Sequence, residues 1–168
     1  MFKNILLATD FSDHSIVARK AAVSMAQGLG KKLTVLHIYD LRQRLLDEGV
    51  LMASEVVEAA EKKRVRKEAH ENMLRFCSPL TGLEINYDFQ IREGRAAEEI
   101  VETATEIKAD LVVIGSHSRR GFVDVSLGGV ARKVGEDAPC PVLIVTNYKE
   151  PVEPEAQEKP ASTPPGES

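Results

Sequence analysis

The run Leu111-Val112-Val113-Ile114-Gly115-Ser116-His117-Ser118-Arg119-Arg120-Gly121, with Leu127-Gly128-Gly129-Val130 following it, decides how this chain folds. Four consecutive apolar residues, mostly β-branched, mark a strand buried on both faces. After the glycine-punctuated stretch, Leu127, Val130, Ala131, Val134 and Ala138 share one helical face. Strand, loop and helix in that order form the unit of a parallel sheet. A helix N-terminus carries unpaired N–H groups and partial positive charge, so it attracts phosphate. Gly128 and Gly129 let a phosphate approach the backbone closely, and Gly115, directly after the strand, lets the chain turn sharply beneath a ligand. The competing reading is that these glycines serve turns only.

Working outward, residues 5–8, 33–39 and 142–145 are further short apolar runs of the buried-strand type. Residues 84–91 alternate instead, with Ile85, Tyr87, Phe89 and Ile91 on one side, which predicts a half-exposed strand near a sheet edge. Between the runs lie helical stripes. Ala18, Ala22, Met25, Ala26 and Leu29 share a face, with Ser12 or Asp13 as cap and Gly28 or Gly30 as stop. Val65, Ala69, Met73 and Phe76 mark the later turns of a long, charged helix starting near Ser54. Ala97, Ile100, Val101, Ala104 and Ile107 form another stripe. Residues 41–53 fit neither period and read as a flexible connection or an extra helical turn.

The sum is β-α-β-α-β-α-β-α-β: an α/β, doubly wound domain with a five-stranded, mainly parallel sheet and helices on both faces. Such sheets bind ligands at the carboxyl ends of their strands, beside the point where strand order reverses. In the order 3-2-1-4-5 that point lies between the first and fourth strands, where Asp10 and Gly115 would meet. In the order 2-1-3-4-5 they would not be neighbours.

Bulk properties bound the function. The chain has 168 residues, one domain's worth, with 43% hydrophobic and 29% charged residues. Its net charge of −4 argues against a general nucleic-acid binder. Cys77 and Cys140 belong to no metal or redox spacing, and no segment approaches the ~20 apolar residues of a membrane span, so the expectation is a cytoplasmic protein. His14, His37 and His70 have no ligand-spaced partners, so no metal site is assigned. Residues 1–148 read as the domain. Residues 149–168, rich in Pro and Glu, read as a disordered acidic tail.

No P-loop, no GxSxG elbow and no nucleophile paired with a base is present. A dedicated enzyme is not expected; slow incidental ATP hydrolysis is the most that the residues allow. The last strand, starting at Pro141 and ending at Thr146, would lie at a sheet edge and is strongly apolar. Such an edge invites pairing with a second copy.

Four stretches together resemble the universal stress protein (UspA-like) family over residues 1–146: Ile5-Leu6-Leu7-Ala8-Thr9-Asp10-Phe11-Ser12, Leu36-His37-Ile38, Gly94-Arg95-Ala96-Ala97-Glu98-Glu99-Ile100 and Ala138-Pro139-Cys140-Pro141-Val142-Leu143-Ile144-Val145. The resemblance implies the order 3-2-1-4-5, a homodimer through the last strand, and a site for ATP or AMP, with Mg²⁺ accompanying ATP. It implies adenine contacts at the backbone of Ile38, ribose or metal contacts at Asp10, which follows Ala8 and Thr9, and phosphate contacts around Gly128, Gly129 and Val130. From the residues themselves Asp10 reads as either a ligand contact or the cap of the first helix beside Ser12, and Phe11 as a packing residue. Nucleotide-binding members carry a glycine, two residues, a second glycine, nine residues, a third glycine, then Ser or Thr. Gly115, Ser116, His117, Ser118 and Gly128 keep that spacing, but Ser118 replaces the second glycine and Gly129 the hydroxyl residue. If position 118 needs positive φ, serine costs roughly 1–2 kcal/mol there. A lost hydroxyl contact to a charged group costs roughly 1.5–3 kcal/mol. Ser118, Arg119 and Arg120 offer replacement donors. The alternative function is a dimeric stress-response interaction module that no longer binds nucleotide.

Overall fold

A computed structural model describes residues 2–28, 30–116 and 128–146. Leu29, His117, Ser118, Arg119, Arg120, Leu127 and the tail from residue 149 lie outside the described residues.

The apolar runs form strands β1 (Asn4–Thr9), β2 (Lys32–Tyr39), β4 (Leu111–Gly115) and β5 (Val142–Val145), and the alternating run forms β3 (Asn86–Glu93). They make one five-stranded sheet in the order β3-β2-β1-β4-β5, with every pair parallel. Of the two orders open to the residues alone, this is the one that puts β1 beside β4: Ala8 pairs with Leu36 on one side and Ile114 on the other. β3 begins at Asn86, later than the alternation suggests, because Leu83 and Ile85 are held in a turn by Leu80 O and Leu83 O.

Alternate side chains feed two core layers. Ile5, Leu7, Leu33, Val35, Leu111 and Val113 pack with α1 (Asp13–Ala26) and the long α3 (Glu55–Cys77), through Ala18, Ala22, Met73 and Phe76. Leu6, Ala8, Leu36, Val112 and Ile114 pack with α4 (Ala96–Glu106) and α5 (Gly129–Asp137), through Ile100, Ala104, Ala131 and Val134. A strand buried on both faces has no polar side to display, which is why β1 reads as a continuous apolar run. The outer strands β3 and β5 are half-buried along most of their length.

Helix boundaries follow local capping. Ser12 caps α1 and Ser54 caps α3, each accepting a first-turn N–H. α1 ends at Ala26, and the chain then turns through Gly28 at φ 108°. Part of the unplaced stretch is a seven-residue helix, α2 (Leu41–Asp47), capped by the Asp40 carboxylate accepting from Gln43 N at 2.9 Å. Leu45 is its one buried residue, so it shows no stripe. Among the described residues no helix is long and apolar enough to cross a membrane.

Candidate functional site: the cleft between β1 and β4

The carboxyl ends of β1 and β4 are neighbours. From β1 the chain turns through Asp10 and Phe11 into α1. Phe11 adopts φ 64°, a left-handed conformation unusual for a bulky residue. Neighbours hold it there: its N–H donates to Thr9 Oγ1 at 3.0 Å, and its ring packs on His37 at 4.2 Å and edge-on to Phe76 at 5.8 Å between centroids. A His37 Nδ1 contact to Thr9 O at 2.9 Å ties β2 to the same corner. Phe11 is therefore a packing residue, as its sequence reading has it.

Asp10 is drawn into the start of α1. Its Oδ1 accepts from Ser12 N at 3.0 Å and from Ser15 Oγ at 2.6 Å, and its own N–H donates to Ser15 Oγ at 3.1 Å. The sequence poses helix start and ligand contact as alternatives for Asp10. The structure places it in the helix start and also on the wall of the cleft.

Gly115 has a different role from the one its position suggests. It is the last residue of β4 and is not among the glycines with positive φ. A Cβ there would lie 3.0 Å from His14 C and His14 O. Glycine is needed because the start of α1 crosses close over β4, not because the chain turns. That close approach shapes one end of the cleft.

On the β4 side, Ser116 is buried and ties β4 to β5 and to the start of α5: its N–H donates to Val145 O at 3.0 Å, and its carbonyl accepts from Gly128 N at 2.8 Å. Gly128 is the N-cap of α5 and brings no capping side chain, and no described side chain caps the helix. A Cβ added at Gly129 would meet nothing within 4 Å. A side chain at position 129 would therefore have room among the described residues.

These parts enclose a cleft of about 270 Å³. Ala8, Thr9, Asp10, Ile38, Gly115, Ser116, Gly128, Gly129 and Val130 all line it; His117 and Ser118 lie outside the described residues. The wall also includes Ser15, Ala96, Ile100, Ile114 and Ala131, which sequence reasoning missed. Ile100, Ile114 and Ala131 were legible only as core residues, since nothing local distinguishes a stripe's covered end from its open one. Ser15 had a signal, a second hydroxyl one turn after Asp10. Ile38, Ile100, Ile114 and Val130 give the cleft an apolar part suited to a flat ring. Thr9, Asp10, Ser15 and Ser116 give it a polar part.

Among the described lining residues there is no lysine, arginine, histidine or cysteine. A phosphate held by them would therefore rely on the backbone and dipole of α5. Asp10 is the one carboxylate in that lining, and no group of three or more His, Cys, Asp or Glu among the described residues is placed to hold a metal ion. This donor set fits Mg²⁺ brought with a nucleotide, since Mg²⁺ commonly takes one carboxylate and substrate phosphates.

Comparison with known proteins gives the arrangement a family. The Universal stress protein family profile matches residues 1–146. This chain belongs to the universal stress protein family. A universal stress protein of Thermus aquaticus is 38% identical over 145 residues, covering 86% of this chain and 99% of the relative. The solved structure of protein MJ0577, of Methanocaldococcus jannaschii, superposes with a TM-score of 0.75 at 27% identity, covering 88% of this chain and 98% of that one. Two more distant structures share the fold. One is a universal stress protein in complex with cAMP (TM-score 0.55, 23% identity, 88% and 98% covered), the other an Archaeoglobus fulgidus universal stress protein in complex with dAMP (0.51, 20%, 86% and 98%). The family is one of stress response, and its adenine nucleotide alpha hydrolase-like fold is the one described above.

Proposed function

We propose that this universal stress protein binds an adenine nucleotide, ATP or AMP, in the β1/β4 cleft and acts as a stress-response module rather than as an enzyme. One observation carries the reading: the start of α5, with no capping side chain among the described residues, borders the same cleft as Asp10 and an apolar wall. Anion, sugar and base would each find a suitable surface there. Ile38 would meet the adenine, Asp10 the ribose or a Mg²⁺ ion, and Gly128, Gly129 and Val130 the phosphates. Mg²⁺ would supply the positive charge that the described lining lacks. The complexes of family members with cAMP and dAMP support an adenine ligand.

Catalysis is confined to slow incidental hydrolysis. The cleft lining holds one hydroxyl–carboxylate pair, Ser15 Oγ donating to Asp10 Oδ1 at 2.6 Å, and no histidine, lysine or cysteine among the described residues; burial pushes the Cys77 thiol up to about 11, opposed by the nearby Arg19 charge. We place the protein in the cytoplasm, as a homodimer joined through β5, whose outer edge is unpaired within the sheet. Light scattering after size-exclusion chromatography checks this, and a mass of one chain at micromolar concentration overturns it.

Nucleotide co-purifying with the protein should be extracted and identified, followed by calorimetry with ATP, ADP and AMP, with and without Mg²⁺. Binding of at least one supports the proposal. No heat at millimolar ligand favours instead an interaction module without nucleotide, which the missing hydroxyl at Gly129 already makes the second reading.

A further inference from the structure

Ser15, the third residue of α1, lines the cleft beside Asp10 and is only 4% exposed. A serine hydroxyl has one proton to donate and two lone pairs with which to accept. Ser15 uses all three within the start of its own helix. It donates to Asp10 Oδ1 at 2.6 Å, accepts from Asp10 N at 3.1 Å, and accepts a longer bond from Ser12 Oγ at 3.4 Å. Two of these bonds go to one residue. The hydroxyl thus bridges the main chain and the carboxylate of Asp10, while Ser12 N–H donates to the same Oδ1 at 3.0 Å. The bond to Oδ1 is of the short, charge-assisted kind, about twice as strong as a neutral one.

This hydroxyl does not cap the helix: Ser12 does so, its Oγ accepting from Ser15 N at 3.3 Å. Nor does it offer itself to a ligand, because its donor and both acceptor sites are engaged. A hydroxyl 2.6 Å from a carboxylate has the form of a nucleophile beside a base. Attack would need a lone pair, however, and those meet Asp10 N–H and Ser12 Oγ. What remains is the hold on Asp10. A side chain left to itself divides among three staggered χ1 wells. Binding that needs one of them is weakened by the time spent in the others.

We propose, on the nucleotide reading of this cleft, that Ser15 is a positioning residue: it holds the Asp10 carboxylate in the one orientation that meets the ribose or Mg²⁺. Ser15 touches no part of the nucleotide and acts through Asp10. Its burial matters, because water has little access to replace the hydroxyl once it is removed. The two serines at the start of α1 divide the work, Ser12 serving the helix and Ser15 the carboxylate.

Calorimetry with ATP and with AMP, in the presence of Mg²⁺, tests this on the full chain, with urea unfolding to confirm that each variant is folded. Ser15→Ala should weaken binding by roughly threefold to tenfold, the lower figure being the dilution of one well among three. Ser15→Thr keeps the hydroxyl and should bind like wild type. In an Asp10→Ala background, adding Ser15→Ala should weaken binding no further, because the group it positions is gone. A serine that only supported the fold would give its loss in both backgrounds. Wild type that binds neither nucleotide overturns the nucleotide reading and this proposal together. Wild-type binding with Ser15→Ala unchanged overturns this proposal alone. So does a threonine variant as weak as the alanine one, or an equal loss from Ser15→Ala with and without the Asp10 carboxylate.

Discussion

The starts of α1 and α5 border the same cleft and are built in opposite ways. At α1, Ser12 accepts from Ser15 N, Asp10 accepts from Ser12 N and Ser15 Oγ, and Asp13 adds negative charge to the first turn. The helix end is tied down by side chains of its own chain. At α5, Gly128 offers no capping side chain and the first turn has no acidic residue. One end uses its donors to fix geometry, and the other, in the proposed function, uses them to hold phosphate. Orphan N–H groups at a helix end need a partner, so a missing cap beside a cleft is informative where a present one is not.

Gly129 is where this contrast breaks most visibly. Gly129→Ser adds a hydroxyl in open space and should tighten ATP binding by roughly tenfold to a hundredfold. Gly129→Asp should weaken it by a similar factor through repulsion of the phosphates. The same aspartate should stabilise the fold by about 0.3–1 kcal/mol, because it complements the helix dipole. Calorimetry and urea unfolding read the two effects, and affinity moving in the same direction in both variants would sink the assigned phosphate position.

Next in size is Gly115→Ala, which drives a methyl against the His14 backbone. A loss of roughly 1–3 kcal/mol in unfolding free energy is expected, with weaker nucleotide binding as α1 moves from β4. An unchanged urea midpoint would mean that the approach is not tight. The smallest effect belongs to the tied-down end: Ser12→Ala should cost about 1 kcal/mol of stability. ATP affinity should barely change, because the Ser12 side chain serves the helix. A large loss of affinity would erase the distinction between the two helix starts.

How much could be read in advance differs element by element. The strands and the long helices were legible because burial on one or two faces imposes period on the chain. α2 was not, since a seven-residue helix with only Leu45 buried leaves no stripe; its trace was the cap Asp40. Asp10 was legible as either a site residue or part of the start of α1; that it is in the helix start and on the cleft wall at once was not, because its bonds to Ser12 and Ser15 form around the left-handed turn at Phe11.

Local pattern by itself determined the succession of strands and helices, a cap at Ser12 or Asp13 and the glycines ahead of α5. These depend on a residue and its neighbours within a turn or two. Tertiary structure decided which strands lie side by side, hence that Asp10, Ile38 and Gly128 share one cleft. It also decided why residue 115 must be glycine. Both depend on how crossing helices pack on the sheet, and the atoms that meet there are distant in the chain.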